Sequence, residues 1–148
     1  MTEINLDRMK VVTLAVHEKV IRLFGGRNGV RDTGLLESAL GRPQNLQAYG
    51  NNVTPFHLAA SLAYGLAKNH PFLDGNKRVS LVMCEWMLSR GGYTLSASKE
   101  EKYTTFIHLA DGTISEEEFV RWVSKKAKKM TIRTIICANE KVLRQLGK

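Results

Sequence analysis

The chain has 148 residues, 43% of them hydrophobic, with 22 Lys plus Arg, 14 Asp plus Glu and two Cys. A chain this long buries about 70% of the surface its unfolded form exposes, so one core suffices without disulfide or metal staples, and disorder is excluded for most of it. Cys84 and Cys137 occur without any CxxC or Cys/His ligand spacing, which argues against a zinc module or disulfide scaffold and leaves two free thiols suited to a reducing compartment.

The N-terminal MTEINLDRMK lacks the basic-then-apolar pattern of a signal peptide, and no run approaches the roughly 18 apolar residues that span a membrane. The expectation is a cytoplasmic protein with no membrane partner. The net charge of +8 is uneven: residues 125–148 carry eight Lys or Arg and one acid, hence +7, while the body is nearly neutral. Such a tail is read as an accessory, solvated extension through which nucleic acid could be touched, and the body gives no other sign of nucleic-acid binding.

In chain order, Met9, Val12, Leu14, Val16, Val20, Ile21 and Leu23 recur at helical spacing until Gly25 and Gly26 stop the pattern. Asp32 or Thr33 caps a second helix carrying Leu35, Leu36, Ala39 and Leu40, which Pro43 is expected to end. The polar residues 44–52 then read as an exposed flap. Thr54 and Pro55 supply an N-cap and first-turn proline for a third helix to about Lys68. After a loop at residues 70–75, a segment from Val79 to Leu88, apolar nearly all round, predicts a helix central in the core. Tyr93 to Leu95 suits a short extended piece. Ser98 with Glu101, and Ser115 with Glu118, are capping-box patterns that start two more helices. A terminal amphipathic helix completes an all-α, compact domain of about six helices, divided as residues 1–124 and a basic, helical extension at 125–148.

Chemistry concentrates in residues 70–78, HPFLDGNKR, between two helical segments. If a helix begins near Asn76, its unpaired first-turn amides face the loop and form an anion site reinforced by the helix dipole. Lys77 and Arg78 then occupy a first turn where cations are disfavoured by up to about 1 kcal/mol, a local conflict that a bound phosphate offsets. Arg78 offers a forked donor, Lys77 a mobile point charge, and Gly75 an unobstructed backbone. Asp74 supplies a hard oxygen for magnesium, which commonly takes one or two protein carboxylates beside phosphates and water. His70, with an ordinary pKa near 6.5, can be neutral and accept a proton from an attacking hydroxyl. A His-xxx-Asp spacing also suits a metal hydrolase, but the adjoining helices offer no further ligands. His17, His57 and His108 read as helix-surface or core-edge residues, and Met83, Trp86 and Met87 as core. Arg31, Arg42 and Gln44 are candidate contacts for a target or inhibitor protein.

HPFLDGNKR resembles the signature of the Fic/Doc superfamily, HxFx(D/E)GNGRxxR. Lys77 stands where Fic enzymes have their second glycine, and Leu81 where they have the final arginine, which is the pattern of the death-on-curing (Doc) toxin branch. The resemblance extends to GVRDTGLLESALGRPQ at residues 29–44, the apolar helix before the motif and the RGGY after it, and covers residues 5–124. It implies an all-α Fic-like fold and transfer from ATP to a protein hydroxyl. His70 would be general base, with Asp74 on Mg2+ and Asn76, Lys77 and Arg78 on phosphates.

For the Doc branch the resemblance implies γ-phosphate transfer to a threonine of elongation factor Tu, hence translation arrest, rather than the AMP transfer of Fic enzymes. The residues agree in direction: Lys77 crowds space that a glycine leaves open, and Leu81 removes a second charged clamp. The runner-up readings are an adenylyltransferase and a catalytically silent regulator using the basic tail on nucleic acid. No Glu is followed by Gly or Asn, so the inhibitory (S/T)xxxE(G/N) helix of Fic enzymes is missing from this sequence. Restraint is expected from a separate antitoxin, whose disordered segment folds on binding, and the target backbone is expected to add as a strand along residues 44–52.

Overall fold

A computed structural model describes residues 3–131. Among them are six helices and a two-stranded sheet: α1 (Leu6–Phe24), α2 (Thr33–Tyr49), α3 (Pro55–Asn69), α4 (Asn76–Arg90), β1 (Tyr93–Leu95), α5 (Lys99–Asp111), α6 (Glu116–Lys126) and β2 (Ala127–Lys129). The all-α class and the helix count agree with the sequence. Among these residues no helix is long and apolar enough to cross a membrane.

The hub is α3, where nine of fifteen residues are buried and which packs on α2, α4, α5 and α6. Its small residues let neighbours approach: a Cβ on Gly65 would meet Ala39 Cα at 3.0 Å. The sequence assigned this central place to α4, but there Val82 is exposed and Leu81 half-buried, because only one side of α4 meets α3. On α1 the buried stripe is Met9, Thr13, His17 and Val20, whereas Leu14 and Leu23 face outward. Thr13 is accommodated because its hydroxyl donates to the Met9 carbonyl at 2.7 Å. Phe106 of α5 meets Phe119 of α6 edge-on at 5.2 Å, closing the far end of the core.

Two expectations fail between residues 43 and 52. Pro43 does not end α2; it lies buried inside a helix that runs to Tyr49 and closes when the Gly50 N–H donates to Leu46 O at 2.8 Å. The supposed flap at 44–52 is therefore mostly helical. Two of its polar side chains already have partners: Gln44 donates to the Ile4 carbonyl (3.4 Å) and Gln47 accepts the Ile4 N–H (3.2 Å), pinning the N-terminal segment to α2. A helix has no free ladder groups to offer, so strand addition by a target does not suit residues 44–49.

The extension placed at 125–148 departs from its helical reading at residues 127–129. Lys125 and Lys126 belong to α6, and β2 pairs antiparallel with β1, Leu95 opposite Ala127 and Tyr93 opposite Lys129. Tyr93 thus fulfils its extended reading by finding a partner in a segment read as helix. The terminal amphipathic helix and Cys137 lie outside the described residues. Cys84 is buried and free, and burial pushes its thiol well above the ordinary range, which makes it inert.

Candidate active site

The HPFLDGNKR segment links the C-terminus of α3 to the N-terminus of α4. His70 caps α3 in the left-handed region (φ 47°, ψ 57°), which halts the helix and carries the side chain outward. That conformation costs a non-glycine residue about 1–2 kcal/mol. The Arg31 guanidinium holds it from behind, donating from Nε to the His70 carbonyl and from Nη2 to the Asn69 carbonyl, both at 2.8 Å. The Asn69 amide donates to Leu35 O at 3.0 Å, fastening the same end to α2.

The next residues are locked by backbone. Pro71 O accepts the N–H groups of Arg31 (2.7 Å) and Asp32 (3.1 Å), Leu73 N–H donates to Gly29 O (3.1 Å), and Val30 bridges to Phe72. Phe72 is buried, and the Asn76 side chain both accepts its N–H and donates to its carbonyl at 2.9 Å. The Asn76 side chain is therefore a loop clamp, and an anion could use only its backbone N–H. Asp74 Oδ2 accepts the Arg27 N–H at 2.6 Å and lies 3.5 Å from Arg27 Nε; neither contact uses Oδ1. The bond from the Arg27 backbone is the main cause holding the Asp74 carboxyl below its usual range, so the group is ionised at neutral pH.

Gly75 starts α4 at φ 82°, close under α1, where a Cβ would meet Val20 Cγ1 at 3.3 Å. Asn5, Asp32, Thr54, Ser98 and Ser115 each cap their helix through a side chain, but α4 has no side-chain cap. The amides of its first turn are thus left to an outside acceptor. Lys77 and Arg78 are exposed beside them, and the Arg78 guanidinium lies 4.2 Å from the centre of the Phe24 ring, a cation–π contact that fixes its side of the opening.

These groups surround one cavity of about 270 Å³. Its polar lining is His70 and the run from Asp74 to Arg78; Leu73, Leu81, Tyr103, Phe106 and Ile107 supply the rest. Burial, then Lys77, then Arg31 and Lys68 keep the His70 imidazole below its ordinary pKa, hence neutral at neutral pH. The cavity therefore contains a neutral base, an ionised carboxylate, two cations and unpaired amides. No cluster of three or more His, Cys, Asp or Glu suited to a metal occurs among the described residues. A metal cage is not supported, whereas one ionised carboxylate at a phosphate site fits the sparse protein ligation of Mg2+.

Thus His70, Asp74, Gly75, Asn76, Lys77 and Arg78 converge, but Arg31, Arg42 and Gln44 do not join them. Arg31 lies behind His70, Gln44 binds Ile4, and Arg42 donates to Ser61 O (3.1 Å), pairs with Glu116 and covers the Tyr64 ring. Sequence reasoning missed Arg27 and His17. The His17 ring stacks on Phe72 at 3.9 Å, and Nε2 is 3.0 Å from the Asp74 carbonyl oxygen. The signal available for His17 was its place on the buried stripe of α1, one turn from Thr13 and from Val20. His57 is a cap: its Nδ1 accepts the Thr54 N–H at 3.2 Å, doing what Glu does in a usual capping box.

The Fic/DOC family model matches residues 10–88, which takes in most of α1, all of α2 and α3, the loop and most of α4. The chain is 42% identical to the Toxin Doc of Mycolicibacterium smegmatis over 76 residues, spanning 50% of this chain and 58% of that protein. It is 33% identical to the Protein kinase doc of Escherichia phage P1 over 102 residues, 69% of this chain and 80% of that one. A Protein adenylyltransferase Fic of Drosophila willistoni is 35% identical over 80 residues, 51% of this chain and only 16% of the relative. With its helical fold, its loop and these similarities, the chain belongs to the Fic/DOC family, on the Doc side of it.

Proposed function

We propose that this chain is a toxin that transfers the γ-phosphate of ATP to a hydroxyl of a target protein, by resemblance a threonine of elongation factor Tu, and is restrained by a partner antitoxin. The observation that carries the reading is the convergence of neutral His70, ionised Asp74 and the uncapped start of α4 on one cavity. The names Toxin Doc and Protein kinase doc among its relatives support the same direction.

In this reading the N–H groups of the α4 first turn, Lys77 and Arg78 hold the triphosphate, while the apolar wall at Leu81, Tyr103 and Ile107 receives the base of the nucleotide. His70 accepts the proton of the target hydroxyl as its oxygen bonds to the γ-phosphorus; the bond to the β,γ-bridging oxygen breaks and ADP leaves. Mg2+ held through Asp74 would neutralise phosphate charge. A lysine rather than glycine at 77 and a leucine at 81 favour phosphate over AMP transfer, because the first fills space and the second offers no charge to a further phosphate.

The test is to incubate the purified chain, wild type and His70→Ala, with cell extract and either γ- or α-labelled ATP. The γ label is expected on one protein with wild type only. Transfer of the α label instead would convert the assignment to adenylyltransfer, and no His70-dependent label from either would overturn it.

A further inference from the structure

We infer that His17 is a positioning residue for the phosphate site, acting through the Asp74–Gly75 peptide; this deepens the proposed function and rests on its placement of phosphate at the start of α4. A carbonyl oxygen only accepts, so His17 Nε2, 3.0 Å from Asp74 O, carries the proton and donates it. The His17 ring is only 3% exposed and lies parallel to Phe72, 8° between planes at 3.9 Å, so it has little freedom to turn.

No peptide bond in the described chain is cis. In a trans peptide the C=O and the following N–H point in opposite directions. With the Asp74 carbonyl drawn back toward α1, the Gly75 N–H is turned away from α1, to the side on which Gly75 lines the cavity. Gly75 has φ +82° and no side chain to resist rotation, so this peptide could otherwise flip and present its carbonyl to the cavity. A carbonyl there would repel phosphate; the amide attracts it. The His17 bond therefore selects the anion-binding orientation. Phe72 links the same ring to the loop clamp, because the Asn76 side chain grips both of its backbone groups.

The test follows the Gly75 amide by 15N–1H NMR in the full chain as MgATP is added, for wild type, His17→Phe and His17→Gln, with melting temperature and steady-state transfer alongside. Phe keeps a ring on Phe72 but has no donor; Gln keeps a donor but has no ring. Expected in wild type is a downfield shift of the Gly75 proton on saturation. His17→Phe should lose that shift and weaken ATP about tenfold, seen in KM far more than in kcat, the loss of one hydrogen-bonded bias. His17→Gln should restore both to within about threefold, whatever its melting temperature. An unmoved wild-type Gly75 resonance overturns the inference without needing any variant to fold, as does a His17→Phe protein that binds ATP and shifts Gly75 like wild type. If Gly75 responds as expected while neither ATP label is transferred, the inference stands and the transferase reading falls. If label is transferred with Gly75 silent, the reverse holds.

Discussion

Replacing Arg31 with Ala separates holding of the base from tuning of the base. The guanidinium makes two 2.8 Å bonds to the last carbonyls of α3, one of them on His70 itself. Arg31 is exposed, so the two bonds together are worth about 1–2 kcal/mol, toward the low end of the usual range. That matches the roughly 1–2 kcal/mol cost of the left-handed conformation at His70, so without Arg31 the turn is held only by the Asn69 bond to Leu35 and the backbone bonds to Pro71. A bias of about 1.4 kcal/mol is a tenfold population change, so kcat for transfer should fall about tenfold at pH about 8, where the imidazole is neutral anyway. KM for the protein acceptor should not change. A second effect is electrostatic: Arg31 is one of the cations that lower the His70 pKa, after burial and Lys77. A base is lost as pH falls through its pKa, so the acid limb of kcat/KM lies below the ordinary imidazole value in wild type and should move upward in Arg31→Ala. Arg31→Lys keeps the charge and hence the acid limb, but a single ammonium cannot fork to both carbonyls, so part of the kcat loss should persist. Retention of kcat within about twofold with an unmoved acid limb would refute both steps. A change confined to KM for the acceptor would make Arg31 the docking residue that its sequence context suggested.

Lys77→Gly removes the side chain argued to exclude the AMP-donating pose, so the α label should appear on target where wild type transfers only γ; an unchanged γ-only pattern would show that position 77 does not select the reaction. Gly75→Ala forces a Cβ to within 3.3 Å of Val20 Cγ1 at φ 82° and should lower Tm by about 3–8 °C for roughly 1–2 kcal/mol of backbone strain, together with a loss of ATP affinity. Leu62→Ala, at a fully buried position on the hub helix, should cost about 2–5 kcal/mol in urea unfolding. A smaller loss would mean that neighbouring helices collapse into the space.

Much of this was legible because local rules and the global fold coincide. The end of α1 and the starts of α3, α5 and α6 follow from Gly25, Thr54, Ser98 and Ser115, and the loop chemistry could be read because its residues are adjacent in sequence. The failures are all long-range. Pro43 was read by its local preference, but α2 continues because its polar face is bonded to Ile4, some forty residues away. The Ala127 strand was invisible until Leu95 was known to lie opposite it. Arg31 and Arg42 were read as contacts for a target or inhibitor protein, yet both end on backbone carbonyls of α3 or its C-cap, Asn69 and His70 for one and Ser61 for the other. His17 was discounted because a histidine on an apolar face carries no motif, and its partner, a main-chain carbonyl, leaves no mark in sequence.

The placement of the base raises a conflict that the structure resolves. A helix C-terminus carries partial negative charge and favours protonated histidine, which is the wrong state for a base. His70 sits at such an end. The carbonyls responsible are the ones Arg31 covers, so the guanidinium both consumes their hydrogen-bonding capacity and replaces their negative potential with a positive one. Burial contributes most to the lowered pKa, and Lys77, which lines the same cavity, adds to it. Lys77, placed to attract a triphosphate, therefore also joins burial and Arg31 in keeping the imidazole unprotonated. Binding of a polyanion must reverse part of that influence and raise the affinity of His70 for a proton when the substrate hydroxyl has one to give.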